Sequence, residues 1–356
     1  MTLKILITHE LFPPDISGGG EKLVYNLTKA LVKRGHSVKV LTSGNSKIKK
    51  YGGIRTIRVP INRYLMNLTA FIIAYHARDV DIVATSSGNT CFPSWIAAKL
   101  MDKPICCYVH HILGSYWIDV KGKVLGKIFE FAEKIFLNRS YDAIIFQNKS
   151  SKKIGLGMGI DKNRIFMLQP GIDYKKFQMK GVKKESFVLF VGNLSMDKAI
   201  VETKGLKYLI EAAKKLSNIK FVVVGEGDYL LELKQNSPSN VVFKGKLVGR
   251  PLIKLYNRAL IYCLPSLNEG FGTTILEAMA SGCSIISTIN LGQEGAILRP
   301  KNTKDIIKAI EHRVNNPKIA ILEGKKNKRI VKKFMWDKFV TELIRIYNSV
   351  SKIKHI

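Results

Sequence analysis

Short runs of aliphatic and β-branched residues alternate along the chain with stretches whose apolar positions recur every three or four residues. In the first half "KILITH", "SVKVLTS", "DIVATSS", "PICCYVH" and "DAIIFQN" read as strands, and "GEKLVYNLTKALVKRG" and "FPSWIAAKLM" read as helices between them. Strands that are apolar throughout, and not only at alternate positions, are buried on both faces. Strand, helix, strand at this spacing predicts parallel βαβ units. A polar, Lys-rich interval follows "RIFMLQPGIDYKKF" (164–177). The rhythm then restarts with "SFVLFVGN", "KFVVVGEG", "NVVFKG", "ALIYCLPS" and "CSIIST", with helices such as "KGLKYLIEAAKKLS" between them. The pattern predicts two doubly wound parallel-sheet α/β domains, 1–178 and 183–335. The last stretch, 336–356, begins at Trp336 with the amphipathic "WDKFVTELIRIYNSV" and is expected to be a helix packing back on the first domain. Open α/β sheets bind ligands beyond the C-terminal ends of their strands, so two in tandem are expected to face one cleft.

Length and composition agree with this picture. A chain of 356 residues suits two cores, and 46% hydrophobic with 24% charged residues is the balance of a packed globular protein. The five cysteines lie mostly in apolar runs without ligand spacing and read as buried thiols of a reducing compartment, with no metal site expected. "MTLKILITHE" reads as a first strand and not as a signal peptide, so a cytoplasmic location is expected. The longest apolar stretch, "YLMNLTAFIIAY" (64–75), falls short of the roughly 18 residues that cross a bilayer. It is either a half-buried helix or a surface that also touches lipid.

Charge changes the picture more. Lys and Arg total 58 against 27 acids, a formal net charge of +31. Such a field attracts nucleic acid, anionic membrane or phosphorylated small molecules. The basic runs "KSSKK" and "KKNKRIVKK" carry no interleaved aromatics, so no nucleic-acid partner is expected. The segment 121–139, "KGKVLGKIFEFAEKIFLNR", puts lysines on one side and apolar residues on another, which suits an anionic membrane surface as well as it suits a core-facing helix.

Against this basic background two acids stand close together in "SLNEGFGTTILEAMASG" (266–282), where a strand runs through a glycine-rich turn into a helix. The glycines let backbone approach a ligand closely, and the free N–H groups of a helix start attract phosphate. The carboxylates of Glu269 and Glu277 would repel phosphate, so they are expected to accept hydrogen bonds from neutral hydroxyls, as on a sugar.

Glu269, seven residues, Glu277, in "PSLNEGFGTTILEAMASGCSII", closely resembles the signature of the retaining glycosyltransferases of family 4, which have the two-domain GT-B fold. The resemblance implies that Glu269 lies next to the donor sugar, that Glu277 binds the ribose of the nucleotide, and that Gly270, Phe271, Gly272 and Thr273 hold the diphosphate. "FPPDISGGGEKLVYNLTKALVKRGHSVKVLT" resembles the family's first loop, with Gly18, Gly19 and Gly20 bringing a helix start near the donor phosphates. "CCYVHH" resembles the place of a histidine that reaches the donor sugar, His110, with His111 the alternative. "PGIDYKKF" and "VVVGEGDYLLEL" resemble the entry to the second domain and the turn against the nucleotide base. "TKGLKYLIEAAKKL" makes Lys204 the expected diphosphate-binding lysine.

Two departures stand out. In "FVGNLSMDKAIVETKG" Asn193 occupies the place of the family's usual arginine among the donor-binding residues, with Lys198 as the candidate substitute for the missing cation. "IISTINLGQEGAILRP" is shorter than the family's usual loop, and Glu294 stands as its remaining acid. What the resemblance implies is a hexosyltransferase-like enzyme that moves a sugar from a UDP- or GDP-linked donor to a glycan or lipid-linked acceptor hydroxyl, with retention and without metal or other cofactor. It would work in the cytoplasm or peripherally on a membrane face. An epimerase or phosphorylase on the same fold, or a basic nucleic-acid-binding protein, are the competing readings.

Overall fold

The computed structural model describes residues 2–15, 18–194, 198–227 and 229–353. Residues 195–197 of the loop before Lys204, and residue 228 of the base-side turn, lie outside it. The chain divides into two compact units, Met1–Gly171 with Trp336–Ile356, and Ile172–Met335.

The first unit is built on eight strands: β1 (Lys4–Thr8), β2 (Ser37–Ser43), β3 (Lys50–Tyr51), β4 (Ile54–Val59), β5 (Ile82–Ser86), β6 (Ile105–Val109), β7 (Ala143–Phe146) and β8 (Ile165–Met167). They form one sheet in the order β3-β4-β2-β1-β5-β6-β7-β8, parallel except for the β3–β4 edge pair. Strand alternation sends Ile5 and Ile7 to one face with Val38, Val40 and Ile145, and Leu6 to the other with Leu41, Val83 and Phe146. The first face is covered by the helices Gly19–Lys33 and Trp336–Ile353. In the latter, Phe339, Val340, Leu343, Ile346, Tyr347 and Val350 recur at helical spacing and are all buried. Arg34 donates to the Asp337 carbonyl at 2.8 Å and to Thr341 Oγ1 at 3.2 Å, fixing where this helix meets the end of Gly19–Lys33.

The second unit has six strands, all parallel: β9 (Glu185–Val191), β10 (Lys220–Val224), β11 (Val241–Phe243), β12 (Ala259–Leu264), β13 (Ser284–Ser287) and β14 (Gly295–Ile297), in the order β11-β10-β9-β12-β13-β14. Every residue of β12 is buried, as its unbroken apolar run requires.

Three details differ from the sequence reading. The first unit ends at Gly171, not at 178, because Ile172 and Phe177 are buried in the second core and Ile172 bridges to Met335. β4, β8 and β14 are short or half-polar and gave no clear period. The stretch 64–75 is not one helix. A 3-10 turn Arg63–Leu68 is capped by the Asn62 side chain on the Tyr64 N–H and is followed by a separate helix Ala70–Ala77.

Candidate active site

In a doubly wound sheet the strand order reverses at one place, and the loops leaving the two strands there diverge to leave room for a ligand. In the second unit that place lies between β9 and β12, so the loops beginning at Gly192 and at Pro265 flank it. They carry Asn193 and Glu269. Asn193 is half-buried just beyond the end of β9.

Lys204 arrives at the same place for a steric reason. Gly205 has φ +70°, and a Cβ there would stand 2.0 Å from the Pro265 carbonyl oxygen. The Leu267 N–H also donates to the Thr203 carbonyl at 2.6 Å. The Lys-Gly turn therefore lies directly on the Pro265–Leu267 backbone, which only glycine permits. Its consequence is the closest ion pair of the region: Lys204 Nζ lies 2.6 Å from Glu269 Oε2, with side chains 19% and 17% exposed. Ser266 Oγ also approaches Glu269 Oε2, at 3.5 Å.

Beyond Glu269 the chain turns through Gly270 and Phe271 to Gly272, whose φ of +79° starts the helix Thr273–Ala280. Phe271 is buried against Phe334, so only its backbone is left to meet a ligand. Thr274 Oγ1 accepts from Tyr262 Oη at 2.6 Å, which ties the first turn of the helix to β12. Glu277, one turn further on, accepts from Tyr256 Oη at 2.8 Å. Tyr256 is fully buried in the helix Arg250–Arg258, and burial followed by the nearby Glu277 charge raises its pKa well above the usual phenol value, so it remains a donor.

Lys198 and Glu294 each have an ion-pair partner. The Lys198 ammonium sits 2.7 Å from Glu232 Oε2 and over the Tyr229 ring, with its pKa raised by the Glu232 hydrogen bond. Glu294 pairs with Lys326 at 3.5 Å, while Asn327, wholly buried, holds the Glu294 backbone N–H and carbonyl.

In the first unit the order reverses between β1 and β5, so His9 and Ser86 stand at the switch point. His110, leaving the neighbouring β6, joins them. The Gln147 amide donates to His110 Nδ1 at 3.1 Å, so the ring carries its proton on Nε2 and directs it to Ser86 Oγ at 3.0 Å. Burial, then the adjacent His9, lowers the His110 pKa to about 3, and this imidazole is neutral. The His9 ring meets it edge-on at 5.4 Å, with Nδ1 buried and unpaired. Burial, and secondarily Arg63, lowers its pKa to about 4. The helix Gly19–Lys33 starts beside them. Glu21 accepts from the Gly18 N–H at 2.8 Å, a Cβ on Gly20 would contact the His9 ring at 3.9 Å, and one on Gly19 would meet nothing within 4 Å.

Residues 17–176 match the family described as Glycosyltransferase Family 4, and residues 185–316 match Glycosyl transferases group 1. The chain belongs to the group 1 glycosyltransferases. This glycosyltransferase is 28% identical over 364 residues to the capsular polysaccharide biosynthesis glycosyltransferase CapM of Staphylococcus aureus, covering 90% of this chain and 92% of that one. It is 29% identical over 229 residues to the UDP-Gal:alpha-D-GlcNAc-diphosphoundecaprenol alpha-1,3-galactosyltransferase of Escherichia coli, covering 59% and 58%. Its fold is GT-B. It superposes on sucrose-phosphate synthase of Thermosynechococcus elongatus with a TM-score of 0.82 at 20% identity, covering 98% of this chain and 99% of that one. On Anabaena HepE, solved with UDP and glucose, the TM-score is 0.77 at 17% identity, covering 98% and 100%.

Several groups at the two switch points of this glycosyltransferase had no signal in the sequence. Tyr256 looks like any core aromatic of an amphipathic helix, and Gln147, Ser86 and His9 are single polar residues at strand ends. Among the described residues, no three His, Cys, Asp or Glu side chains gather where a metal could be held, and no helix is long and apolar enough to cross a membrane. The five cysteines are buried free thiols.

Proposed function

We propose that this glycosyltransferase moves a sugar from a UDP- or GDP-linked donor to the hydroxyl of a lipid-linked or polysaccharide acceptor, with retention at the anomeric carbon and without metal or other cofactor. The observation that carries the reading is the arrangement at the β9/β12 switch point. Lys204 is paired with Glu269 at one end of the Gly270–Thr273 turn, and Glu277 is held by Tyr256 one helical turn beyond it. Glu277 accepts from the ribose hydroxyls. The diphosphate lies on Lys204 and on the amides from Gly270 to Thr273, with Asn193 beside it as a neutral donor. Glu269 faces the sugar.

Donor binding then exchanges partners. The diphosphate replaces Glu269 as the counter-charge of Lys204, and Glu269 turns to the sugar hydroxyls. As the glycosidic bond breaks, negative charge grows on the leaving nucleoside diphosphate, where the lysine and the helix N-terminus already stand; preorganised charge of this kind lowers the barrier. The first unit holds the acceptor, with Gly19, Gly20 and the neutral His110 as its own site residues.

The acceptor class is supported by the relatives, one named for capsular polysaccharide biosynthesis and another for action on a diphosphoundecaprenol-linked sugar. Such acceptors put the enzyme at the cytoplasmic face of an anionic membrane, and the net charge of +31 suits that surface. No nucleic acid takes part. The test is a thermal-shift panel of UDP-, GDP- and ADP-sugars on the full chain and on Glu277→Ala. One donor class should stabilise the protein and the substitution should abolish the shift; no shift with any donor, or an unchanged one in the variant, refutes the reading.

A further inference from the structure

We propose that one face of the first unit is a docking surface for an anionic lipid bilayer, formed by the segment Arg63–Ala77 together with the helix Lys123–Leu137. The inference rests on the membrane location proposed above and names the surface that makes it.

Both segments pack on the helix Cys91–Leu100, on the sheet face opposite to Trp336–Ile353. Their inner sides are ordinary core: Met66, Ile73, Ala74 and Ala77 from one, Leu137 from the other. Their outer sides are not polar, as a solvated surface would be. Leu68 is 77% and Phe71 81% exposed, followed one turn on by Tyr75, while Val124 is 75% and Phe131 64% exposed, with Ile128 between them. Val124, Ile128 and Phe131 recur at spacings of four and three, so they make one stripe. Isolated exposed apolar residues are common, but two elements packed on the same helix that both turn large apolar side chains outward mark an interaction surface.

Charge identifies the occupant. Lys121, Lys123, Lys127 and Lys134 are exposed on or beside this stripe. Of the two acids in the same helix, Glu130 is half-buried and Glu133 is turned inward, accepting from the Leu113 and Gly114 N–H groups at 3.2 and 2.8 Å. Lysines that flank an apolar stripe keep their ammonium groups at the level of lipid phosphates while their stems lie along the acyl boundary. Tyr75, with the Arg78 guanidinium 5.3 Å from its ring, belongs to the same amphipathic rim. An apolar surface meant for a second copy of this basic chain would bring like charges together.

The experiment is co-sedimentation of the full chain with vesicles of phosphatidylcholine alone and of phosphatidylcholine mixed with phosphatidylglycerol. Two double variants are carried alongside, Leu68→Ser with Phe71→Ser, and Ile128→Ser with Phe131→Ser. A third, Lys127→Gln with Lys134→Gln, leaves the apolar stripe intact. The wild type should partition to the anionic vesicles far more than to the neutral ones. Each serine pair should lose roughly tenfold or more in partition, as removing two inserted apolar groups implies. The glutamine pair should lose about as much and respond less to salt. Nucleotide-induced thermal shifts should remain in all three, which separates this surface from the donor site. Anionic binding that survives all three variants overturns the assignment of this surface. Binding no greater with phosphatidylglycerol, or a chain that dimerises over this face and ignores both vesicles, overturns the membrane reading and leaves the donor assignment standing.

Discussion

Lys204 Nζ stands 2.6 Å from Glu269 Oε2, so the cation proposed for the diphosphate is paired with the carboxylate proposed for the sugar. Both side chains are mostly buried, and a partner removed from such a pair leaves a charge that is costly to keep. The two residues are therefore coupled, and their variants should move nucleotide binding in opposite directions while both lower turnover. Glu269→Gln frees Lys204 and should tighten binding of the bare nucleoside diphosphate several-fold while reducing sugar transfer. Lys204→Met should weaken that binding and lower transfer by roughly a hundredfold or more, the scale for removing a group that meets developing charge. Calorimetric titration with UDP and GDP, beside a transfer assay with the donor found by thermal shift, reads both. Weaker binding in Glu269→Gln would rule out the exchange of partners.

Tyr256→Phe removes only the 2.8 Å hydrogen bond to Glu277 and leaves the buried ring. A hydrogen bond to a charged acceptor contributes about 1.5–3 kcal/mol, so nucleotide affinity should fall roughly tenfold or more. The loss should shrink for a nucleotide with deoxyribose, which offers Glu277 fewer hydroxyls. Equal losses for both sugars would mean a purely structural role.

Two glycine substitutions should separate architecture from ligand space. Gly205→Ala places a Cβ 2.0 Å from the Pro265 oxygen at a positive φ, and should cost about 3 kcal/mol or more in urea unfolding. Gly19→Ala meets nothing within 4 Å and lies at a helix start, so stability should hold or rise slightly. If Gly19 leaves room for a ligand, transfer falls in a protein that is as stable as before.

His9 sets an acid limit. Its folded pKa of about 4 lies below the ordinary imidazole value of 6.5, so the unfolded chain binds the extra proton first as pH falls. The stabilisation is complete above 6.5 and is lost between 6.5 and about 4, amounting to roughly 3 kcal/mol across that window. Denaturant titrations across this range should show the slope in the wild type and a shallower one in His9→Gln. An identical pH dependence in the two proteins would refute it.

Much of this was legible in the chain. The apolar runs within β1 and β9 and the whole of β12 are buried in parallel sheets, and "NEGFGTTILEAMA" became a loop and helix with its two glutamates half-buried. The sequence reading erred where the signal was short or two-valued. β4, β8 and β14 lack a strong period, and "YLMNLTAFIIAY" is apolar at most positions, with Asn67 and Thr69 too close together to show which side faces water.

By itself the sequence determined the alternation of strand and helix, the restart of that rhythm in a second sheet, and the spacing of Glu269 from Glu277, because these follow from local periodicity and from one continuous turn. Only the tertiary structure decided the partners. Lys204 meets Glu269 across 65 residues, Tyr256 reaches Glu277 from another helix, and His110 is fixed by Ser86 and Gln147 from two other strand ends. Those contacts depend on the order of strands in the sheet, which brings distant chain segments to one edge and which no local pattern encodes.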